Sequence, residues 1–415
     1  MNKRLLSVDV FRGLTIMLMT VVNNAGDWAN IYPPFRHAEW HGCTPTDLVF
    51  PFFLFIMGVA VPLSGPIPIF TNDTMGKILT RTFRIFGLGF FLSYFTKIQF
   101  FGLEGTGLLI VRLLLTVVIF ALLLGKYDKK LQFYVSVFVL SLMFIFALGG
   151  FESFSNVRIL GVLQRIAIVY FFVSLLYYRT SFFVQAIVCI SLLLIYWFFM
   201  ALVPAGEWGA GLLEPGKNFA AWLDAKILGE HMYAGTKTWD PEGVFSTIPA
   251  ISTGLLGVLT GQILIKNSST IQKAGFICIA GIVLIVVGWV WGLAFPINKA
   301  LWTSSFVLFT AGLALFILGL LYFLIDHLNW KSWTKPFAIF GVNPMLVFFA
   351  SGIIPRALGM INVGEQNLQS FIYTQLIAPN FSDPSMASLV GALIYLFIWF
   401  LILLFFHRRK LIFKV

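Results

Sequence analysis

The chain has 415 residues, of which 59% are hydrophobic, 17% are aromatic and only 11% are charged. Ordinary soluble domains carry about 25% charged residues, so this composition excludes a soluble globular protein. Many apolar runs approach the roughly 20 residues that cross a bilayer core, and they are continuous rather than alternating, which argues against transmembrane strands. The formal net charge of +11 requires no nucleic acid, because cytoplasmic loops of membrane proteins are rich in Lys and Arg.

The apolar runs predict an all-α polytopic membrane protein, a bundle of about twelve transmembrane helices in a single domain over residues 1–415. The predicted spans are 8–24, 46–64, 82–98, 105–125, 132–150, 157–178, 181–203, 244–265, 272–295, 301–325, 335–356 and 386–406. Segments predicted to lie inside carry sixteen Lys and Arg residues against eight outside, which predicts that both termini are cytoplasmic. No small-residue cleavage site follows the first span, so we expect it to be retained.

The charged residues within the first span are three apart. At this spacing Asp9 and Arg12 lie on one helix face and are able to pair. A charge inside the membrane costs at least a few kcal/mol, so it normally faces a partner, a cavity or a ligand. Both a ligand contact and a structural pair satisfy that requirement for Arg12, and for Arg165 further along the chain.

The loop between the first two spans, residues 36–42, holds two histidines, a glutamate, an arginine and a tryptophan. Histidine accepts and returns a proton near neutrality, so His37 is a candidate general base or nucleophile at the membrane surface. The alternative is an interface loop in which Trp40 anchors at headgroup level and the histidines are solvated.

The second span begins with a capping pattern. Thr44 has the position of a helix cap, Pro45 lies in the first turn, and Asp47 is placed to accept from the cap backbone. Capping alone explains Asp47, and a carboxylate that orients His37 is the second interpretation. Both are compatible.

Two long loops are predicted outside, at 204–243 and 357–385. The first has six acidic residues against three lysines, and a loop of this length is usually functional or partly folded on itself. The three cysteines, Cys43, Cys189 and Cys278, have neither disulfide-framework nor metal-ligand spacing, so we expect no redox or metal site. No internal repeat is visible, which weakens the alternative of a sugar or proton-coupled transporter.

Several blocks in order carry a family resemblance. They are SVDVFRG at 7–13, VNN at 22–24, RHAEWHG at 36–42, TPTDLVFPFFLFIMG at 44–58, ILGVLQRI at 159–166, WDPEG at 239–243 and PINKALW at 296–302. From end to end the chain resembles the heparan-α-glucosaminide N-acetyltransferase family and its bacterial NagX-type relatives. The segment 104–150 departs from the family's core of about ten helices and is expected to be an additional apolar hairpin, facing lipid or a second subunit.

The resemblance implies transmembrane acetylation, in which the acetyl group of cytosolic acetyl-CoA passes to the amino group of a glucosamine unit on the far side. The lysosomal members carry an N-terminal leader helix, so the resemblance favours a bacterial inner-membrane form. The family's active-site histidine corresponds to His37 and a preceding asparagine to Asn23. Asn23 then donates to the oxyanion, while His37 acts by direct transfer or through an acetyl-histidine.

The ligand sites follow from the same resemblance and the predicted topology. Candidates for contacting acetyl-CoA are Arg4, Arg12, Lys77, Arg81, Arg84 and Arg165, although the positive-inside rule alone explains several of them. Candidates for binding the amino-sugar acceptor are Glu39, Trp40, Asp240, Glu242, Asn298 and Lys299. The alternative for residues 240–243 is a turn and helix start. Membrane lipids and a possible homodimer partner complete the expected partners; a sugar-binding or assembly protein without activity is the third class of function.

Overall fold

The protein is described by a computed structural model over residues 5–65 and 70–413. It is predominantly helical. The helices are α1 Leu6–Val22, α2 Val49–Leu63, α3 Asn72–Tyr94, α4 Gly105–Leu124, α5 Lys129–Leu148, α6 Val162–Arg179, α7 Phe182–Leu202, α8 Phe219–Leu228, α9 Thr247–Ile265, α10 Thr270–Gly292, α11 Ser304–Tyr322, α12 Lys335–Val342, α13 Pro344–Leu358, α14 Leu368–Ile372 and α15 Pro384–Arg408. A 3₁₀ turn over Pro45–Leu48 leads into α2.

The polytopic all-α architecture is confirmed. Within the described residues, nine helices are long and apolar enough to cross a membrane, or ten if the bent pair α12–α13 is one span. The two other predicted spans correspond to α1, which has 17 residues and includes Asp9 and Arg12, and to the charged helix α3. A total of twelve spans and the cytoplasmic placement of both termini stay predictions.

Two of the predicted spans differ from the helices of the structure. The third span was expected to begin at residue 82, but α3 begins ten residues earlier, where the Thr71 side chain accepts from the backbone of Thr74. The predicted span 335–356 is two helices bent by 75°. The break falls at Asn343, because the residue before a proline avoids helical geometry and its side chain bonds the backbone of Leu411 and Phe413.

Close backbone contacts at glycines hold the centre of the bundle together. A Cβ on Gly58 would lie 2.1 Å from the carbonyl oxygen of Gly254, and one on Gly257 would lie 2.1 Å from that of Phe55. Small residues of this kind let membrane helices approach closely, so α2 and α9 form a tight pair. The outer helices α4, α5, α7, α10 and α15 bury only 17–28% of their apolar windows and are suited to contact with lipid.

The segment predicted as a hairpin forms the two helices α4 and α5. Arg112 on α4 donates to the carbonyl oxygens of Thr96 and Ile98 just beyond α3, at 2.9 and 2.6 Å. This arginine connects the hairpin to the segment that follows α3. Whether the hairpin is an addition to the family core stays a prediction.

Both long loops are partly folded. The segment 204–243 contains α8 between two 3₁₀ turns, Gly206–Trp208 and Gly229–His231. The segment 357–385 contains an antiparallel hairpin of β1 Asn362–Val363 and β2 Gln366–Asn367, followed by α14.

Candidate active site

The loops predicted outside meet at one end of the bundle. Trp40 Nε1 donates to the carbonyl oxygen of Leu213 at 2.8 Å, which joins the loop after α1 to the segment 204–243. Gly42 donates its backbone N–H to Ile297 at 2.7 Å, which joins the same loop to the connection between α10 and α11. We call the end formed by residues 25–45, 204–246 and 293–303 the outer end, after its predicted side of the membrane.

His37 and Asp47 are in direct contact at the outer end. His37 Nδ1 lies 2.7 Å from Asp47 Oδ1, and Asp47 Oδ2 accepts from the backbone of Ala38 at 3.1 Å and of Thr44 at 3.0 Å. A carboxylate only accepts, so Nδ1 carries a ring proton, and in the neutral imidazole Nε2 then keeps its lone pair. Asp47 therefore makes both of its predicted contacts, the helix cap and the histidine. The His37 side chain is 53% exposed, whereas that of Asp47 is buried.

Lys299 lies against this pair. Its Nζ is 3.2 Å from His37 Nδ1, 3.3 Å from Nε2 and 3.8 Å from Asp47 Oδ1. Burial lowers the pKa of Lys299, while Glu242 and Asp47 oppose that shift. The sequence predicted Lys299 only as a donor to acceptor hydroxyls; its contact with His37 depends on how two distant loops fold together.

Asn298 is buried and shapes the adjoining turn. Its Oδ1 accepts from the backbone of Leu301 at 2.9 Å, and its Nδ2 lies 3.3 Å from His41 Nδ1. Burial lowers the pKa of His41, which favours its neutral form. The contact with His41 links the loop after α1 to the connection between α10 and α11. Asn298 therefore stabilises the position of both loops next to His37.

Arg158 joins the two acidic residues of the WDPEG block. Its guanidinium forms ion pairs with Asp240 and Glu242, and it lies 4.6 Å from the ring centroid of Tyr233. Asp240 also accepts from the backbone of Glu242 at 2.8 Å. Burial raises the pKa of Glu242, but the charges of Arg158, Arg165 and Lys299 together outweigh burial and lower it. These contacts favour the turn interpretation of residues 240–243. No sequence motif singled out Arg158, which lies just before the ILGVLQRI block.

Asp224 and Arg165 are buried ionisable residues that contact the chain just after this turn. Asp224 on α8 accepts from the backbone of Phe245 at 3.2 Å, and a Cβ on Gly243 would collide with its carboxylate. Burial raises its pKa to about 7. Arg165 is completely buried nearby, where it contacts Ser246 and the carbonyl oxygen of Gly243 and lies 5.1 Å from the Trp302 ring centroid. Among the described atoms, its Nε and Nη1 have no hydrogen-bond partner.

The remaining outer-end candidates are placed differently. Asn23 is the exposed C-cap residue of α1, and within the described residues no hydrogen bond joins its side chain to His37 or Asp47. Glu39 is exposed and forms no ion pair within the same residues. Trp40 packs edge-on against Trp239 with ring centroids 5.2 Å apart.

The proposed acetyl-CoA contacts do not form one cluster. Lys77 pairs with Asp73 at 2.7 Å, and Arg81 lies 4.5 Å from the ring centroid of Tyr170. Arg84 contacts the carbonyl oxygen of Leu123. Arg4 lies outside the described residues.

Arg12 and Arg165 are set apart from these helix-α3 cations. Arg12 contacts Asp9 at 3.2 Å, as the spacing predicted, and the carbonyl oxygen of Gly341. Arg165 belongs to the outer end through its bonds to residues 243 and 246. Within the described residues no group of three or more His, Cys, Asp or Glu side chains is placed to hold a metal ion.

The fold and the site together define a multi-pass α-helical membrane protein with a histidine–carboxylate pair at one end of its bundle. A family model described as "Domain of unknown function (DUF5009)" matches residues 4–222, and the chain belongs to this family.

The family resemblance read from the sequence blocks is confirmed by two relatives. The chain is 28% identical over 354 residues to heparan-alpha-glucosaminide N-acetyltransferase of Mus musculus, an alignment that covers 73% of this chain and 46% of the relative. It is 27% identical over 359 residues to the protein of the same name from Homo sapiens, with the same coverage. The chain thus spans about half the length of the curated relatives it matches.

Proposed function

We propose that this protein is a transmembrane acetyltransferase that moves the acetyl group of acetyl-CoA to the amino group of glucosamine, or of a terminal glucosamine unit, at the outer end. The observation that carries the proposal is the His37–Asp47 pair at 2.7 Å, in a chain similar to two N-acetyltransferases. Acetyl-CoA is taken from the cytosol, with both termini on that side. A bacterial inner membrane is the proposed location, and a homodimer the proposed assembly.

His37 is the proposed general base. The acceptor's neutral amine attacks the thioester carbonyl carbon, and Nε2 of His37 takes the proton that the nitrogen loses. The carbonyl π electrons move to oxygen and return as the carbon–sulfur bond breaks, and the proton ends on the thiol of CoA. The products are an N-acetyl amine and free CoA. General base catalysis of this kind contributes about 10²–10⁴-fold.

Asp47 holds the imidazole in the tautomer that this step requires. Its contact with Nδ1 fixes the proton there, which leaves Nε2 unprotonated and turned away from the carboxylate. Asn23 is proposed as a donor to the developing oxyanion, because it is exposed at the outer end of α1.

The acceptor is proposed to bind between the His37 loop and the segment 204–243. Glucosamine is cationic when protonated, and Glu39 is an exposed carboxylate two residues from His37. Trp40 offers an aromatic surface for the sugar ring. Asn298 acts by positioning the neighbouring loop through its bonds to Leu301 and His41. Asp240 and Glu242 are proposed to act through the shape of the loop, since Arg158 already neutralises both.

Acetyl-CoA is proposed to contact the cations of α3. Arg81 fits this role best, because its buried Nε has no hydrogen-bond partner among the described atoms. Lys77 and Arg84 flank it on the same helix, and Arg4, Arg12 and Arg165 remain proposed contacts. A phosphate binds strongly to guanidinium and ammonium groups.

Reconstitution tests the function directly. Purified protein in proteoliposomes receives acetyl-labelled acetyl-CoA on one side and glucosamine on the other, and labelled N-acetylglucosamine is measured against empty vesicles. Time-dependent product supports the proposal. Uptake of glucosamine without acetylation would instead identify a transporter. If neither acetylation nor uptake occurs, the remaining class is a binding or assembly protein.

A further inference from the structure

The ammonium group of Lys299 lies over the face of the His37 ring. Its Nζ is almost equally far from the two ring nitrogens, at 3.2 Å from Nδ1 and 3.3 Å from Nε2. An in-plane position at these distances would overlap the ring carbon between the nitrogens. The cation is therefore above the plane, where it uses neither nitrogen's in-plane direction and leaves the Nε2 lone pair accessible.

The lysine is held there by opposite charges and by its connection to the bundle. Asp47 Oδ1 is 3.8 Å from Lys299 Nζ, and the Lys299 side chain is only 24% exposed. The residue before it, Asn298, is buried and bonds Leu301 at 2.9 Å, so the backbone position is fixed. A preorganised charge in a partly water-excluded site stabilises a developing charge more strongly than the same group in water.

We propose that Lys299 is a catalytic residue whose ammonium group stabilises the oxyanion of the acetyl-transfer step. This inference rests on the proposed function. An acyl group can react at the Nε2 edge, either with an amine held there or with Nε2 itself. When its carbonyl oxygen turns to the ring face that Lys299 covers, the ammonium group is the N–H donor on that side.

The electron balance is simple. When the nucleophile bonds to the carbonyl carbon, the C=O π pair becomes a third lone pair on oxygen, and Lys299 donates a charge-assisted hydrogen bond to it without transferring its proton. When the pair returns, the carbon–sulfur bond breaks and CoA leaves as thiolate. Lys299 is unchanged over the cycle, and the proton from the amine reaches the thiol through His37.

The test compares Lys299→Met and Lys299→Arg in reconstituted full-length protein, with Lys226→Met as the matched control. Lys226 is also an outer-end lysine, but its Nζ lies against Trp222, away from His37. We expect Lys299→Met to lower kcat by about 10²–10³-fold with KM for glucosamine unchanged. Lys299→Arg retains a cation and recovers part of that loss, and Lys226→Met matches wild type. Unfolding temperatures of all variants show that the fold is intact.

The pH profile gives a readout that a structural role would not move. Groups facing Lys299 are His37, Asp47 and Cys43 from the first loop, Glu242 from the long loop and Arg165 from α6. Because burial lowers the pKa of Lys299, the wild-type alkaline limb reports loss of its proton. Arginine stays charged, so Lys299→Arg shifts that limb to higher pH.

The outcomes distinguish failure of this inference from failure of the proposed function on which it rests. No product from the wild type refutes the acetyltransferase itself. An active wild type with unchanged kcat in Lys299→Met refutes the oxyanion role, as does a change confined to KM for glucosamine, which would make Lys299 an acceptor-binding residue.

Discussion

His37 Nδ1 and Asp47 Oδ1 lie 2.7 Å apart, although the two residues belong to a surface loop and to the first turn of a buried helix. Asp47 is fixed by the backbone of Ala38 and Thr44, so the cap of one helix also sets the orientation of the candidate base. In the proposed mechanism, catalysis and local folding thus depend on the same carboxylate.

Asp47→Asn separates these two functions. The amide oxygen still accepts from the backbone, but the amide N–H₂ faces Nδ1 and favours the tautomer with its proton on Nε2. We expect turnover to fall by at least about 10²-fold with a small loss of thermal stability. Asp47→Ala removes the hydrogen bonds to the backbone as well as the contact with His37, so both turnover and thermal stability should fall. Equal activity of wild type and Asp47→Asn would show that the tautomer does not matter.

Glu39 supplies the free negative charge of the proposed acceptor site. Glu39→Gln should raise KM for glucosamine several-fold and leave KM for acetyl-CoA unchanged, and added salt should reduce the difference because exposed charges are screened. Glu104→Gln, which removes an exposed carboxylate at the start of α4, is the control. A parallel rise in both KM values would argue against a direct role for Glu39.

Arg158 is expected to be important for stability. Arg158→Met leaves the buried carboxylates of Asp240 and Glu242 without their ion-pair partner, which typically costs about 3–5 kcal/mol. The unfolding temperature of detergent-solubilised protein should fall clearly, and adding Asp240→Asn with Glu242→Gln should restore part of it. Arg409→Met, at an exposed arginine, is the control. An unchanged unfolding temperature would mean that the ion pairs are not significant.

Asp224 should make stability depend on pH. Burial raises its pKa from 3.8 to about 7, so between these values the folded state holds a proton that the unfolded state releases. Stability is therefore highest at the acid end of this window and declines as pH rises through it. Arg165, Asp240 and Tyr196 face the carboxylate and are retained in Asp224→Asn, which should flatten the profile between about pH 4 and pH 7. If stability depends on pH equally in the wild type and in Asp224→Asn, another group causes the effect.

The sequence predicted the helices well because apolar length is a local property. It also predicted the Asp9–Arg12 pair and the cap at Thr44, since each lies within one turn of helix. It missed the break at Asn343, where hydrogen bonds to the distant chain end support the bend before Pro344.

The site was predicted only in part for the same physical reason. His37 and Asp47 are ten residues apart, and the block pattern identified both. Lys299 and Arg158 gain their roles from contacts across 262 and 82 residues of sequence, which no local pattern specifies. Arg165, a candidate acetyl-CoA contact from the sequence, lies at the outer-end turn and donates to the carbonyl oxygen of Gly243.

The central claim is that His37 performs acetyl transfer, and turnover of His37→Ala tests it most directly. Acetyl transfer to glucosamine should fall by at least about 10²-fold in proteoliposomes, with the unfolding temperature and acetyl-CoA binding retained. His327→Ala, a histidine stacked on Phe323 and away from the outer end, should match the wild type. Wild-type turnover in His37→Ala would contradict the account.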